Sequence, residues 1–225
     1  MKKIIPILIL SSFALTGCNL VKDKISNLFG GGSKKESDKT LLGAAVEFMN
    51  AYNYRMDYSV EVNYDVPEEY KDYVQNTVLG PYHYDIDFPR VYVSGSGTDD
   101  YFNIKNGDYQ NVTHYYKDSD GNYQTNTVDL TTESNQVKYF DQATHSESDY
   151  KEVKTGVYEM VDEKLEYYGF ERLTLQVIGQ IRHPKVVIDS YMSQASPETA
   201  FTVNTHLHAE LYQFGDVTVT LPDVY

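Results

Sequence analysis

The chain of 225 residues has no tryptophan and a single cysteine, Cys18. One thiol excludes an intramolecular disulfide, a paired-thiol redox centre and a multi-thiolate metal site. Positive charge is also scarce: 19 Lys+Arg stand against 33 Asp+Glu, a formal net charge of −14. No basic stripe interleaves with the aromatics, so a phosphate backbone is excluded as a partner. The only long apolar run, Ile4 to Leu15, is twelve residues. As a helix it would reach about 18 Å, short of the roughly 30 Å hydrocarbon core of a bilayer. There is no G-x-S-x-G elbow for a hydrolase nucleophile. "GSGTDD" has Gly95 and Gly97 but no third glycine, which leaves a bend between strands rather than a dinucleotide loop.

Tyrosine is abundant, with 22 in the chain beside 9 phenylalanines. It favours strands and suits faces that are apolar beneath and polar at the tip. In "AYNYRMDYSVEVNYD" Tyr52, Tyr54, Met56, Tyr58, Val60, Val62 and Tyr64 alternate with Asn53, Arg55, Asp57, Ser59, Glu61, Asn63 and Asp65. That period of two predicts a long antiparallel strand with one wet face. "YHYDIDF" repeats the pattern from Tyr82 to Phe88, and so does Phe201 to Leu211; after Gly215, Val217, Val219 and Leu221 predict a closing strand. Leu41, Leu42, Ala45, Val46, Phe48 and Met49 form a broad apolar helical face over Lys39 to Asn50, with Asp38 as the expected N-cap. A second helical stretch is expected within Val157 to Ile181, ended by Pro184. The fold class expected is α+β, a predominantly antiparallel sheet.

The start of the chain has the order of a secretory signal: Lys2 and Lys3, the apolar run, then the small residues Thr16 and Gly17. Leu15-Thr16-Gly17-Cys18 resembles the bacterial lipobox, in both sequence and position. The resemblance implies cleavage before Cys18 and acylation of its sulfur, and hence a protein lipid-anchored to a bacterial membrane on its extracytoplasmic side. Two or three acyl chains hold a protein stably where one gives only marginal binding. On this reading residues 1–17 are a lipoprotein signal peptide and residues 18–37 a lipidated flexible tether, rich in glycine, serine and charge. Residues 38–225 are a single β-rich extracytoplasmic domain.

The lipobox, the helix running into the Tyr52–Asp65 strand and the closing "YQFGDVTVTLP" at Tyr212–Pro222 together resemble the LolA/LppX-like lipoprotein carriers. That resemblance implies an incompletely closed half-barrel packed on one or two helices, with an apolar cavity between. The expected function is then a non-catalytic binding protein for a lipid or other amphiphile. Its ligand-binding residues would lie on the Tyr52, Tyr54, Met56, Tyr58 face. The alternative is a surface module that engages another protein through tyrosine-rich strands, a reading favoured by Tyr115, Tyr116 and Tyr123 in the hairpin from Tyr109 to Leu130.

Other stretches carry weaker chemistry. Asp118, Asp120 and Asp129 fall at places one, three and twelve of an EF-hand loop, but the sixth place is Tyr123 where glycine is needed. Asp120-Gly121 is expected to make a type I′ hairpin turn instead. His206 and His208, two apart on a strand, share a face with Glu210 and could bridge one divalent ion, or could be solvated histidines of a polar face. Asp99-Asp100 and Asp162-Glu163-Glu166 are carboxylate clusters, which act as acid and base only when they face one another across a cleft. No enzyme, no metal and no cofactor are expected. The expected partners are the membrane, through Cys18, and a lipid, amphiphile or protein ligand.

Overall fold

A computed structural model describes residues 40–130, 145–195 and 201–224. Helix α1, Leu41–Ala51, opens on Thr40, whose Oγ1 accepts from the Gly43 amide at 2.8 Å. Thr40 is therefore the cap; Asp38 lies outside the described residues. Leu42, Ala45, Val46 and Met49 are buried on one side of α1, as their helical spacing requires. Tyr52 ends the helix in the left-handed conformation, φ 52°, and the chain turns directly into strand β1, Asn53–Asp65.

Ten more strands follow: β2 Thr77–Asp87, β3 Arg90–Gly95, β4 Thr98–Asn103, β5 Val112–Lys117, β6 Tyr123–Val128, β7 Tyr150–Lys154, β8 Val157–Met160, β9 Arg172–Gln180, β10 His183–Ala195 and β11 Thr202–Tyr212. All eleven lie in one antiparallel sheet in the order β6-β5-β4-β3-β2-β1-β11-β10-β9-β8-β7. The last strand thus pairs beside the first, Met56 opposite Leu211 and Tyr58 opposite Ala209. Among the described residues no ladder joins β6 to β7, so the sheet is open.

Alternation sorts the side chains into two faces. Tyr54, Met56, Tyr58, Val60 and Val62 of β1 are buried, together with Tyr84, Ile86, Val91, Val93, Phe102, Leu175 and Val177 of neighbouring strands, in one apolar cluster. The helix α1 lies against β1, β9 and β10 of that inner face. The odd residues of β1 face the other way.

Three expectations change. Val157–Ile181 is strand β8, a short helix α2, Asp162–Tyr168, and strand β9, not one divided helix. Leu173 and Val177 stand four apart, a spacing that shares a face in a helix and in a strand alike; Leu175 between them is wholly buried, and that decides for the strand. Pro184 does not end a helix but sits second in β10, near the strand start where a missing donor is tolerated.

The segment after Gly215 forms no strand, though Val217 and Val219 are buried. Side chains take the place of a ladder. Asn53 accepts from the Val217 amide at 3.0 Å and donates to its carbonyl at 2.9 Å, Asp87 Oδ2 accepts from the Val219 amide at 3.2 Å, and Arg90 Nη1 donates to the Val219 carbonyl at 2.9 Å. These anchors are the first residue of β1, the last of β2 and the first of β3, so the tail crosses one end of the sheet as a sash.

The Asp120-Gly121 turn is not a two-residue hairpin turn either. Asp118 to Asn122 form the connection, with the Gly121 amide bonded to the Asp118 carbonyl at 3.0 Å and Asp118 Oδ1 accepting from the Asp120 and Asn122 amides at 2.9 and 3.0 Å. The Asp118 side chain folds back on its own backbone, as Asx turns do. Its carboxyl titrates below the usual range, chiefly through the Asn122 amide and then the Gln124 side chain.

Candidate functional site

Each face of the sheet carries a constellation. On the inner face the structure brings Tyr54, Met56 and Tyr58 into line along β1, all buried, with Tyr52 half-buried at the helix cap. The Tyr52 ring packs on Phe88, centroids 6.4 Å apart. The Tyr54 ring meets Phe214 at 5.5 Å, and Phe214 in turn stacks on Phe48 of α1 at 5.5 Å. Burial pushes the Tyr54 hydroxyl well above its ordinary range. Tyr58 lies between Tyr82 and Tyr84, at 6.4 and 6.3 Å. This is a wall of amphipathic rings that continues, through Phe214 and Phe48, into the apolar face of α1.

On the outer face histidines sit among carboxylates. His83 of β2 has Asp57 Oδ1 at 2.8 Å from Nδ1 and Asp85 Oδ1 at 3.1 Å from Nε2. Arg55 donates to the same Asp85 oxygen at 2.8 Å, and Tyr212 donates to Asp57 Oδ2 at 3.0 Å. Two strands away, His206 Nε2 and His208 Nδ1 both point at Asp189 Oδ1, at 3.1 and 2.9 Å. Desolvation would raise the Asp189 carboxyl, but the bonds from His208 and His206 outweigh it and the group titrates below the usual range. Tyr191 stacks flat on His206 at 4.3 Å, and the Arg172 guanidinium caps Tyr191 at 4.3 Å.

The two histidines singled out in the sequence are thus brought together, though by an aspartate on β10 rather than by Glu210, which pairs with Lys185 at 2.8 Å. Among the described residues, no group of three or more His, Cys, Asp and Glu could hold a metal ion. Both imidazoles are aimed at one aspartate oxygen, the geometry of shared hydrogen bonds. The other carboxylate clusters do not converge. Asp99 pairs with Lys117, and the hydrogen bond from Lys117 is the main reason its carboxyl titrates below the usual range; Asp100 lies 3.3 Å from His114, while Asp162, Glu163 and Glu166 are exposed on α2. Beside Asp99, the outer-face rings of Tyr92, Tyr101 and Tyr123 follow one another at 4.6 and 5.7 Å across β3, β4 and β6.

Asp57, Asp85 and Asp189 were not singled out by sequence. "YHYDIDF" did place His83 and Asp85 on one wet face, but Asp57 and Asp189 join their histidines only through strand register. Cys18 lies outside the described residues, and no helix among those described is long and apolar enough to cross a membrane. No protein-family model matches the chain, and no curated protein matches it.

Proposed function

We propose that this chain is a lipoprotein acylated on Cys18 and anchored on the extracytoplasmic side of a bacterial membrane, and that its domain is a non-catalytic binding protein for a lipid or other amphiphile, built like the LolA/LppX-like carriers. The observation that carries the reading is a mismatch of sizes. The inner face is apolar across most of an eleven-stranded sheet, yet the helix laid on it is short. With 11 residues α1 spans about 16 Å, whereas β1, with 13, spans about 43 Å. In this reading the sheet curls into an incompletely closed half-barrel with α1 across part of its mouth. The sash at Val217–Val219 closes the end where β1 begins. Tyrosines suit such a wall, since each offers an apolar ring and a polar tip to an amphiphile.

Outer-face rings at Tyr92, Tyr101 and Tyr123 support a second reading, a surface module that docks a protein on its tyrosine-rich strands. The full chain, purified and examined by native mass spectrometry with lipid extraction, separates the two. The carrier reading expects a co-purified apolar molecule, or saturable uptake of a fluorescent fatty acid that Met56→Arg abolishes. An empty protein that takes up neither fatty acid nor phospholipid would remove it in favour of the protein-docking module. In cells fed an alkynyl fatty acid, Cys18→Ala is expected to lose all label; full labelling of that variant would refute the anchor.

A further inference from the structure

The short segment from His145 to Asp149 grips α1 at both of its ends. At the start of the helix Thr40 Oγ1 donates to Glu147 Oε2 at 2.8 Å. Gly43, one turn in, leaves room for that same carboxylate; any Cβ there would overlap Glu147 Oε1. At the end of the helix the Asn50 side chain makes a closed pair with the His145 backbone, donating to its carbonyl at 2.8 Å and accepting from its amide at 3.1 Å. The segment is held in turn by a capping box: Asp149, a buried carboxylate, accepts from the Ser146 amide at 2.8 Å. One titratable ring stands in this clasp. His145 Nδ1 is 2.5 Å from the hydroxyl of Tyr150, the first residue of β7.

We propose that residues 145–149 are an acid-released latch, holding α1 down on β1, β9 and β10 at neutral pH and letting it lift when His145 takes a proton. The proposal rests on the amphiphile-binding reading for its purpose but not for its test. A neutral His145 can accept the Tyr150 hydroxyl proton at Nδ1. Protonation puts a hydrogen on that nitrogen, so the bond has to reverse: Nδ1–H becomes the donor to the Tyr150 oxygen and the hydroxyl proton must turn away from the ring. A positive charge also has to be accommodated in an enclosed place.

The groups facing it offer little compensation. From α1 comes the neutral amide of Asn50 and from β7 the Tyr150 hydroxyl. Glu147 is engaged by Thr40. Asp149 is the one anion that favours the charged ring, and its carboxylate already serves the Ser146 amide and Lys164 of α2, the latter at 3.4 Å. Burial accordingly pulls the imidazole down to about 4. Because Asn50 bonds to the backbone of His145 itself, a shift of that residue breaks the helix's lower tie directly.

Hydrogen exchange of the full chain at pH 7 and pH 4.5, corrected for intrinsic rates, tests the latch without any ligand. Amides of α1 are expected to exchange about tenfold faster or more at pH 4.5, while the β1–β11 and β10–β11 ladders keep their protection. His145→Gln, which keeps polarity but cannot charge, should abolish the acid response. If α1 exchanges equally at both pH values, if His145→Gln retains the response, or if helix and ladders open together, the latch is refuted. Should His145→Gln fail to fold, Tyr150→Phe serves: it is expected to speed α1 exchange already at pH 7, and unchanged exchange overturns the proposal. A helix that lifts in acid with no fatty acid bound at either pH upholds the latch and defeats the amphiphile reading. Uptake with α1 equally protected at both pH values does the reverse.

Discussion

Gly95→Ala is expected to destabilise the domain by about 3 kcal/mol, and Gly97→Ala, two residues on, by about 1. Gly95 is the last residue of β3 and Gly97 lies in the turn that leads to β4, and both have positive φ, 117° and 84°. For Gly97 the conformation is the whole difficulty, since a Cβ there would meet nothing within 4 Å. A left-handed alanine costs on the order of 1 kcal/mol. Gly95 carries a second constraint. A Cβ on it would overlap the Pro81 carbonyl oxygen and come within 3.1 Å of Tyr82 Cα, both backbone atoms of β2. No rotamer change relieves that clash; β2 and β3 would have to separate where Tyr82 packs on Tyr58. Urea unfolding of the two variants reads the difference, and equal losses would show that β2 moves aside freely.

The same pair marks what the sequence can and cannot convey. "GSGTDD" announces a bend, and a bend is there, but the two glycines read alike although only Gly95 answers to a neighbouring strand. Legibility followed the range of the interaction. The α1 face, the β1 alternation and the strands around Ile86 and Leu207 depend on residues two to four apart, so local spacing displayed them. The Val157–Ile181 stretch failed because Leu173 and Val177 satisfy two periods at once. The sash failed because its hydrogen-bond partners, Asn53, Asp87 and Arg90, are more than a hundred residues distant.

The candidate sites divide the same way. Tyr54, Met56 and Tyr58 were visible as one face, while the burial of that face belongs to the tertiary fold. His206 and His208 were visible as a pair, but Asp189, which joins them, enters through the β10–β11 register. His145 had no signal at all: its importance comes from Asn50 and Tyr150, and nothing in "ATHSESD" distinguishes it from a solvated histidine.

That histidine also sets how the stability of the domain depends on pH. Its imidazole titrates at about 4 against an ordinary 6.5, so between these values the unfolded chain binds the proton and the folded one does not. Stability therefore rises with pH across this window: the penalty is absent above about 6.5, grows as pH falls, and is complete below about 4. At pH 4.5 the linkage amounts to about 2 kcal/mol, with its ceiling near 3. The residue as a whole is only partly buried, but the enclosed ring, bonded to Tyr150, is what sets the basicity. The latch caps the loss further, because once α1 lifts the imidazole can charge in water without global unfolding. Carboxylates act in a lower window. Asp189 and Asp99 titrate below their ordinary 3.8, so what they contribute is present above that value and disappears only as pH falls through their lowered range. Urea unfolding at pH 7, 5.5 and 4.5 is thus expected to show a loss of about 2 kcal/mol in the natural chain and almost none in His145→Gln, before the carboxylates begin to matter. A variant that tracks the natural chain through this interval would move the acid sensitivity away from His145.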